Sequence, residues 1–545
     1  MKIIRELNIV SKNFTKTPVK VALVYPSKYI VAITSLSYHL IYYMLNSLDY
    51  VVVEHSVYDE ELGVLGDKTL ESNMPLNKFD IIMYTVHYEL DYSKIVLSLY
   101  NSKIPLYNTD RERPIVVIGG PPTTANPQPL SKIADVLIIG EAEEPLKTIV
   151  EEHLNSKSKR EFLERISGKP GIYTPQVKCE VRRFWVKSLN LEGAYQPILH
   201  IIPMNKKFMP VYGPTYLLEA SRGCPFKCRF CLLGFNFNPP RHRSLDVLKK
   251  LINKGVEANN ASKVSLVSSS YFTHPKAKEL LEYIIELKLK ASIPSIRLDT
   301  LDQEALELMV KAGQRTLTIA PETGGEHLRF MLNKGVSNNE IIETARTAEN
   351  VGFKNLKLYF IYGLPFESLD DVKSIVELVS EISRKTRFRG SSLRVTINPF
   401  IPKANTPLQW YPVEHVERLK SKRNLITREL RRLGARVEGY DPKLAVIQTL
   451  FSIGGEEATE ILIEWSLSGA KYSKFRKLLS LNYEKFRYVF EGRSLDEDLP
   501  WSFIVNEDYK KFLKVERELF MRGQLSPACF KGCIRCGVCK EYEEI

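Results

Sequence analysis

Seven of the eight cysteines in this 545-residue chain fall in two short runs. The first, Ser221-Arg-Gly-Cys-Pro-Phe-Lys-Cys-Arg-Phe-Cys-Leu, puts Cys224, Cys228 and Cys231 on one loop at C-x3-C-x2-C spacing. Three such thiolates can each bind one iron of a cubane and leave the fourth iron open, whereas clusters that only carry electrons usually have four protein ligands. The competing reading is a zinc site short of one ligand. The second run, Pro527-Ala-Cys-Phe-Lys-Gly-Cys-Ile-Arg-Cys-Gly-Val-Cys-Lys, sets Cys529, Cys533, Cys536 and Cys539 at C-x3-C-x2-C-x2-C. It is as compact as a ferredoxin run, and structural zinc prefers cysteine pairs separated by a longer connector. An auxiliary Fe–S cluster is therefore expected there. Cys179 stands alone in a strand-like stretch and reads as a small buried side chain.

Two α/β series must position these runs. In residues 1–165, short apolar strands at 19–25, 51–54, 80–84, 114–120 and 134–140 alternate with helical stretches such as 32–48, which predicts a Rossmann-like, doubly wound parallel sheet. Ligands of such sheets sit beyond the carboxyl ends of the strands. That rim carries Ser27, Thr85–His87, Gly119-Gly120-Pro121 and Gly140-Glu141. Residues 166–215, with prolines at 170, 175, 197, 203, 210 and 214, read as a connector. In 216–411 six β-α repeats begin with strands at 216–220, 263–267, 293–298, 316–320, 355–361 and 393–397, predicting a partial TIM-like (β/α)6 barrel with its chemistry at the C-terminal strand ends. The first cysteine run directly follows the first of these strands. Residues 412–545 read as a helical, basic C-terminal region ending in the second run.

The formal charge of +13 favours an anionic partner, RNA or a phospholipid surface. Eight glutamines against 77 Lys and Arg is also a thermophile-like balance, so much of the excess reads as solvated surface. The opening residues lack a signal peptide's apolar stretch, and no segment reaches the roughly 18 apolar residues of a spanning helix. A cytoplasmic location is expected, with peripheral contact to a membrane as a variant of it.

With its elements placed, the chain resembles the radical S-adenosylmethionine (SAM) superfamily. The likeness implies a [4Fe–4S] cluster on Cys224, Cys228 and Cys231, with SAM chelated at the open iron. One electron into the sulfonium then yields methionine and a 5′-deoxyadenosyl radical that abstracts hydrogen from unactivated carbon. It also implies an electron donor such as ferredoxin. Phe230 matches the aromatic residue that lies against adenine. Val267-Ser-Ser-Ser puts Ser268 and Ser269 where the family's second strand contacts the methionine amino group, although the usual Gly-Gly-Glu is absent. Ala320-Pro-Glu-Thr-Gly puts Glu322 at the ribose, and Phe360-Ile-Tyr-Gly-Leu-Pro puts Gly363 near adenine, where a structural turn explains the glycine as well. Arg297 and Asp299 point toward the same mouth or form a barrel salt bridge.

The domain order resembles the B12-binding radical SAM proteins, on Gly119-Gly-Pro and Asp135-Val-Leu-Ile-Ile-Gly-Glu. Val24-Tyr-Pro-Ser, Asn126-Pro-Gln-Pro-Leu, Ile319-Ala-Pro-Glu, Lys357-Leu-Tyr-Phe and Asn398-Pro-Phe-Ile-Pro-Lys-Ala-Asn-Thr-Pro resemble a related uncharacterised radical SAM subgroup. Asp-x-His-x-x-Gly, whose histidine ligates cobalt in many cobalamin domains, does not occur. His39 reads as core or surface, and His87 lacks the motif around it. Cobalamin is thus expected only in a histidine-free mode; otherwise the domain binds part of the substrate or acts as scaffold. The chain also resembles the archaeal radical SAM enzymes that build cyclopentane rings into tetraether (GDGT) membrane lipids. Carbon–carbon bond formation in such lipids is the first expectation, with the basic helices at 412–436 on anionic headgroups. The alternatives are RNA modification, by methylation or sulfur insertion, and cobalamin-dependent methyl transfer. A two-cluster electron-transfer scaffold ranks last.

Overall fold

The computed structural model describes residues 4–190, 194–209, 213–530 and 532–539; Pro210 of the expected connector lies outside them. The N-terminal unit is built on β1 (Val19–Tyr25), β2 (Val51–Asp59), β3 (Ile81–Thr85), β4 (Ile115–Gly119) and β5 (Val136–Ile138). They lie parallel in the order β2-β1-β3-β4-β5, with antiparallel edge strands Val64–Leu65 and Ile172–Tyr173. In β1, Val21 and Leu23 enter one core while Ala22 and Val24 enter another, as a sheet covered on both faces requires. The helix α1 (Leu36–Asn46) follows β1, and α2 (Glu143–Leu154) follows β5.

The expected connector is structured. Ile172–Tyr173 closes the N-terminal sheet, and Ile202–Pro203 pairs with Glu6–Leu7. Cys179, expected on a strand, lies in irregular chain and is half-buried.

The second unit contains β6 (Thr215–Glu219), β7 (Lys263–Val267) and β8 (Lys290–Ser292) in one parallel sheet. A second parallel sheet holds β9 (Thr316–Glu322), β10 (Asn355–Tyr362), β11 (Leu393–Pro399) and β12 (Arg436–Gly439). Two expectations are corrected here. The third strand stops at Ser292 instead of running over 293–298, because Pro294 has no N–H to donate to a ladder. Arg436–Gly439, expected within the helical region, adds a strand beside β11. Burial alternates along β10: even-numbered residues pack against the surrounding helices, and odd-numbered ones face the barrel lumen.

The C-terminal helices include α3 (Val416–Arg432) and α4 (Glu507–Met521). They are not an appendage. Asn126 Nδ2 of the N-terminal unit donates to the carbonyls of Ser452 and Gly454, and Gln448 Nε2 donates to Glu89 at 2.5 Å. Among the described residues no helix is long and apolar enough to cross a membrane.

Candidate active site

The first cysteine loop leaves the end of β6 through a short antiparallel pairing of Ser221–Arg222 with Arg241–His242. Cys224, Cys228 and Cys231 are half-buried, and the Cys231 N–H donates to the Cys228 carbonyl at 2.9 Å. Burial, with the neighbouring thiols, pushes Cys224 up to about 12 and Cys231 up to about 11. Metal binding at such thiols must release protons.

Arg297 answers the question its pairing with Asp299 left open, because it does two things. Its Nε donates to Asp299 Oδ1 at 2.7 Å, while Nη1 donates to Cys228 Sγ at 2.9 Å. The guanidinium also lies 4.0 Å from the centre of the Phe226 ring. A cation bonded to a ligating sulfur favours the more negative, reduced state of a cluster. Arg297→Gln should therefore lower the midpoint potential of the Cys224–Cys231 cluster in a reductive titration followed by electron paramagnetic resonance. An unchanged potential would count against this role.

Glu322 ends β9 in a left-handed backbone conformation, φ 70°, and its carboxylate accepts from Lys334 at 2.6 Å. Its charge reaches Cys231, so it stands beside the cysteine loop. Phe230 packs on an apolar group that includes Leu364, Phe400 and Phe520. Ser268 is buried, with Oγ accepting from the Ser270 N–H, and Ser269 is half-buried beside it. Gly363 has a structural explanation: φ is 74°, its N–H bonds Glu367, and a Cβ there would lie 2.5 Å from Leu419 of α3. That glycine admits a helix.

The second cysteine run docks on the first. The Cys529 N–H donates to the Pro225 carbonyl at 2.7 Å. Burial raises the Cys539 thiol, with the charges of Cys536, Cys529 and Cys533 adding to it, so these four thiols are neighbours. Lys227, inside the first motif, is buried and donates to the Gly234 carbonyl at 2.9 Å; burial pushes the neighbouring Cys529 thiol up, and the charge of Lys227 offsets part of that rise. Arg229 is buried as well. It pairs with Glu516 of α4 at 3.1 Å and donates to Met331, Gln524 and Ser526. Neither Lys227 nor Arg229 stood out in the sequence, where both read as spacers. Trp501 is core, with Nε1 donating to Gln409 at 2.8 Å. Among the described residues no three His, Cys, Asp or Glu side chains converge on one metal ion. A cubane does not ask this of them, since each cysteine takes its own iron.

Beyond the ends of β1, β3 and β4 lies a cavity of about 580 Å3. It sits at the β1/β3 reversal of strand order, where doubly wound sheets bind ligands. Tyr25, Thr85, His87, Gly119 and Gly140 line it from the sheet, and Glu219, Arg222, Phe237 and Val267 from the barrel. Gly120 of its rim is needed by the chain itself, since a Cβ would lie 1.8 Å from the Val86 carbonyl oxygen. His87 faces the cavity, stacks on Tyr25 with ring centres 5.5 Å apart, and contacts Ser37 Oγ through Nε2 at 3.0 Å. Its ring is exposed to the cavity, and partial desolvation by the cavity walls lowers its imidazole below the usual range. His39 is core, stacked on His200. Cavity and cysteine loop share a wall: Arg222, two residues before Cys224, pairs at 2.8 Å with each of Glu141, Glu143 and Glu219.

Four of the seven Lys and Arg side chains of α3 are ion-paired. Lys422 is held by Glu367 and Glu414, Lys420 by Glu417, and Arg428 and Arg432 by Glu429.

Residues 218–379 match the family model described as the radical SAM superfamily, and residues 37–175 match the model described as radical SAM proteins, N-terminal. This chain belongs to the radical SAM superfamily. Among relatives, an uncharacterized protein of Methanocaldococcus jannaschii is 29% identical over 81% of this radical SAM chain and 90% of its own. An uncharacterized methyltransferase of Pyrococcus horikoshii is 24% identical over 50% of this chain and 59% of its own. The solved radical SAM methyltransferase TsrM from Kitasatospora setae, with cobalamin and a [4Fe–4S] cluster bound, aligns at 14% identity over 69% of this chain and 72% of that one, TM-score 0.49.

Proposed function

We propose that this radical SAM enzyme transfers a methyl group, with its cluster on Cys224, Cys228 and Cys231 and a corrinoid in the cavity of the N-terminal unit. The observation that carries the reading is the cavity itself, placed at the switch point of the sheet and walled on its far side by residues flanking the cysteine loop. The name of the Pyrococcus horikoshii relative, a methyltransferase, supports it. Tetraether ring closure, the first expectation, draws no support from the relatives reported above.

The residues suit the groups. Three thiolates on one loop match a cubane with an open iron, and the cavity offers a wide, mainly apolar wall with one imidazole, His87. The absence of Asp-x-His-x-x-Gly therefore does not leave the cavity without a histidine. The cluster, when bound, supplies one-electron cleavage of SAM, and a corrinoid supplies a carrier for the methyl group. The protein's part is positional. Arg222 locks the cysteine loop to Glu141 and Glu143 of the cavity wall, Arg297 sets charge at Cys228, and the apolar group around Phe230 excludes water from the strand ends.

Anaerobically reconstituted protein given hydroxocobalamin should keep about one corrinoid per chain through desalting, read from its visible spectrum. Ala142→Trp, which fills the cavity, should abolish that retention. With SAM and a strong reductant, the loaded wild type should form 5′-deoxyadenosine and move an isotope-labelled SAM methyl group onto the corrinoid. A wild type that retains no corrinoid, or a label that never reaches it, would end this proposal.

A further inference from the structure

The parallel registers of β9 to β12 put Thr318, Lys357, Arg394 and Arg436 side by side in one row. Paired residues of parallel strands point to the same face, and here that face is the lumen, because the alternate residues Leu356, Leu358 and Val395 are buried against the helices. Adjacent strands lie about 4.8 Å apart, so three cations stand in file. Arg436 is paired with Glu438 at 3.1 Å. Lys357 and Arg394 form no ion pair among the described residues; Lys357 lies 4.8 Å from the centre of the Tyr359 ring, and the Nε of Arg394 is buried without a hydrogen-bond partner. Thr396, two residues further along β11 on the same face, also has a buried, unpartnered Oγ1. Like charges directly opposite one another on a sheet are destabilising, and a buried donor without a partner adds its own cost. A bound anion removes both costs at once.

We propose that this row is the anion-binding end of the substrate chamber, with Lys357 and Arg394 holding a phosphate or carboxylate group of the substrate and Thr396 donating beside them. The inference rests on the proposed methyl transfer and takes the barrel lumen as the place of its substrate. Lys357 lies five positions before Tyr362 at the end of β10, roughly 16 Å at about 3.3 Å per residue. The SAM end of the barrel is therefore well above the row, and the substrate is an elongated molecule whose anionic group lies roughly 15 Å from its reacting carbon.

The test uses the reconstituted full chain with sodium pyrophosphate and sodium citrate as probes and sodium chloride at matched ionic strength as the control. Pyrophosphate or citrate should raise the melting temperature above the chloride control and bind measurably by calorimetry. The double variant Lys357→Gln/Arg394→Gln should bind at least tenfold more weakly, and its melting temperature without anion should equal or exceed that of the wild type, since repulsion is gone. Arg394→Lys, which keeps the charge, should retain binding even if the double variant folds poorly. A stronger response to pyrophosphate assigns a phosphoryl group, and a stronger response to citrate a carboxylate. If neither probe exceeds chloride, or the double variant responds as the wild type does, the proposal is wrong. Formation of 5′-deoxyadenosine by the same preparation reports separately on the cysteine loop, so the two readings fail independently.

Discussion

Cys228→Ala should bring 5′-deoxyadenosine formation down by on the order of a thousandfold or more, equivalent to about 4 kcal/mol in barrier. The size follows from the loop. Cys228 sits between the other two cysteines, receives the Arg297 Nη1 hydrogen bond at 2.9 Å, and is bonded through its carbonyl to the Cys231 N–H. Losing this thiolate removes an iron ligand and leaves a half-buried guanidinium donor unpaired, so neither cluster assembly nor its electrostatic setting survives. Cys179→Ala is the matched control: that cysteine belongs to neither run and contacts Thr174 Oγ1 at 3.8 Å. Anaerobic assays with SAM and dithionite, read by chromatography, decide the matter. If Cys228→Ala turns over at more than a tenth of the wild-type rate, the loop does not hold the reacting cluster.

The second large effect is on the architecture. Arg229→Met should destabilise the protein by about 3–5 kcal/mol, because it strips a buried carboxylate, Glu516, of its partner. Both side chains are almost wholly enclosed, at 0% and 1% exposure, so water cannot substitute. The same guanidinium holds Gln524 and Ser526, which lead into the second cysteine run. If the second run holds the expected auxiliary cluster, the variant should lose it, falling from about eight irons per chain to about four, and become sensitive to proteolysis beyond Glu507. Replacing both partners, Arg229→Met with Glu516→Leu, should recover much of the denaturant midpoint, since an apolar pair of similar volume tolerates burial. Equal losses in the single and double variants would show that the ion pair is not what fastens the tail.

Chemistry confined to one loop was legible before any coordinates. Cys224, Cys228 and Cys231 lie within eight residues, so local chain geometry alone brings them together, and the apolar runs of β1 and β3 announce a sheet covered on both faces. What depends on pairing across the fold was not legible. The third barrel strand was misplaced where Pro294 interrupts a β-like run, and β12 was missed because four residues, mostly exposed, carry little apolar signal. Arg222 meets Glu141 across 81 residues and Arg229 meets Glu516 across 287, distances at which sequence spacing says nothing about contact. The cavity wall is likewise assembled from the ends of separate strands, and His87 joins it only because β3 lies beside β1. The file of Lys357 and Arg394 exists only in one register; a slip of one residue would turn Arg394 to the helices and bring Val395 into the lumen. Ligand type and spacing are properties of the chain, whereas which distant charges face one another is decided by strand register and packing, where the energies of many contacts are minimised together.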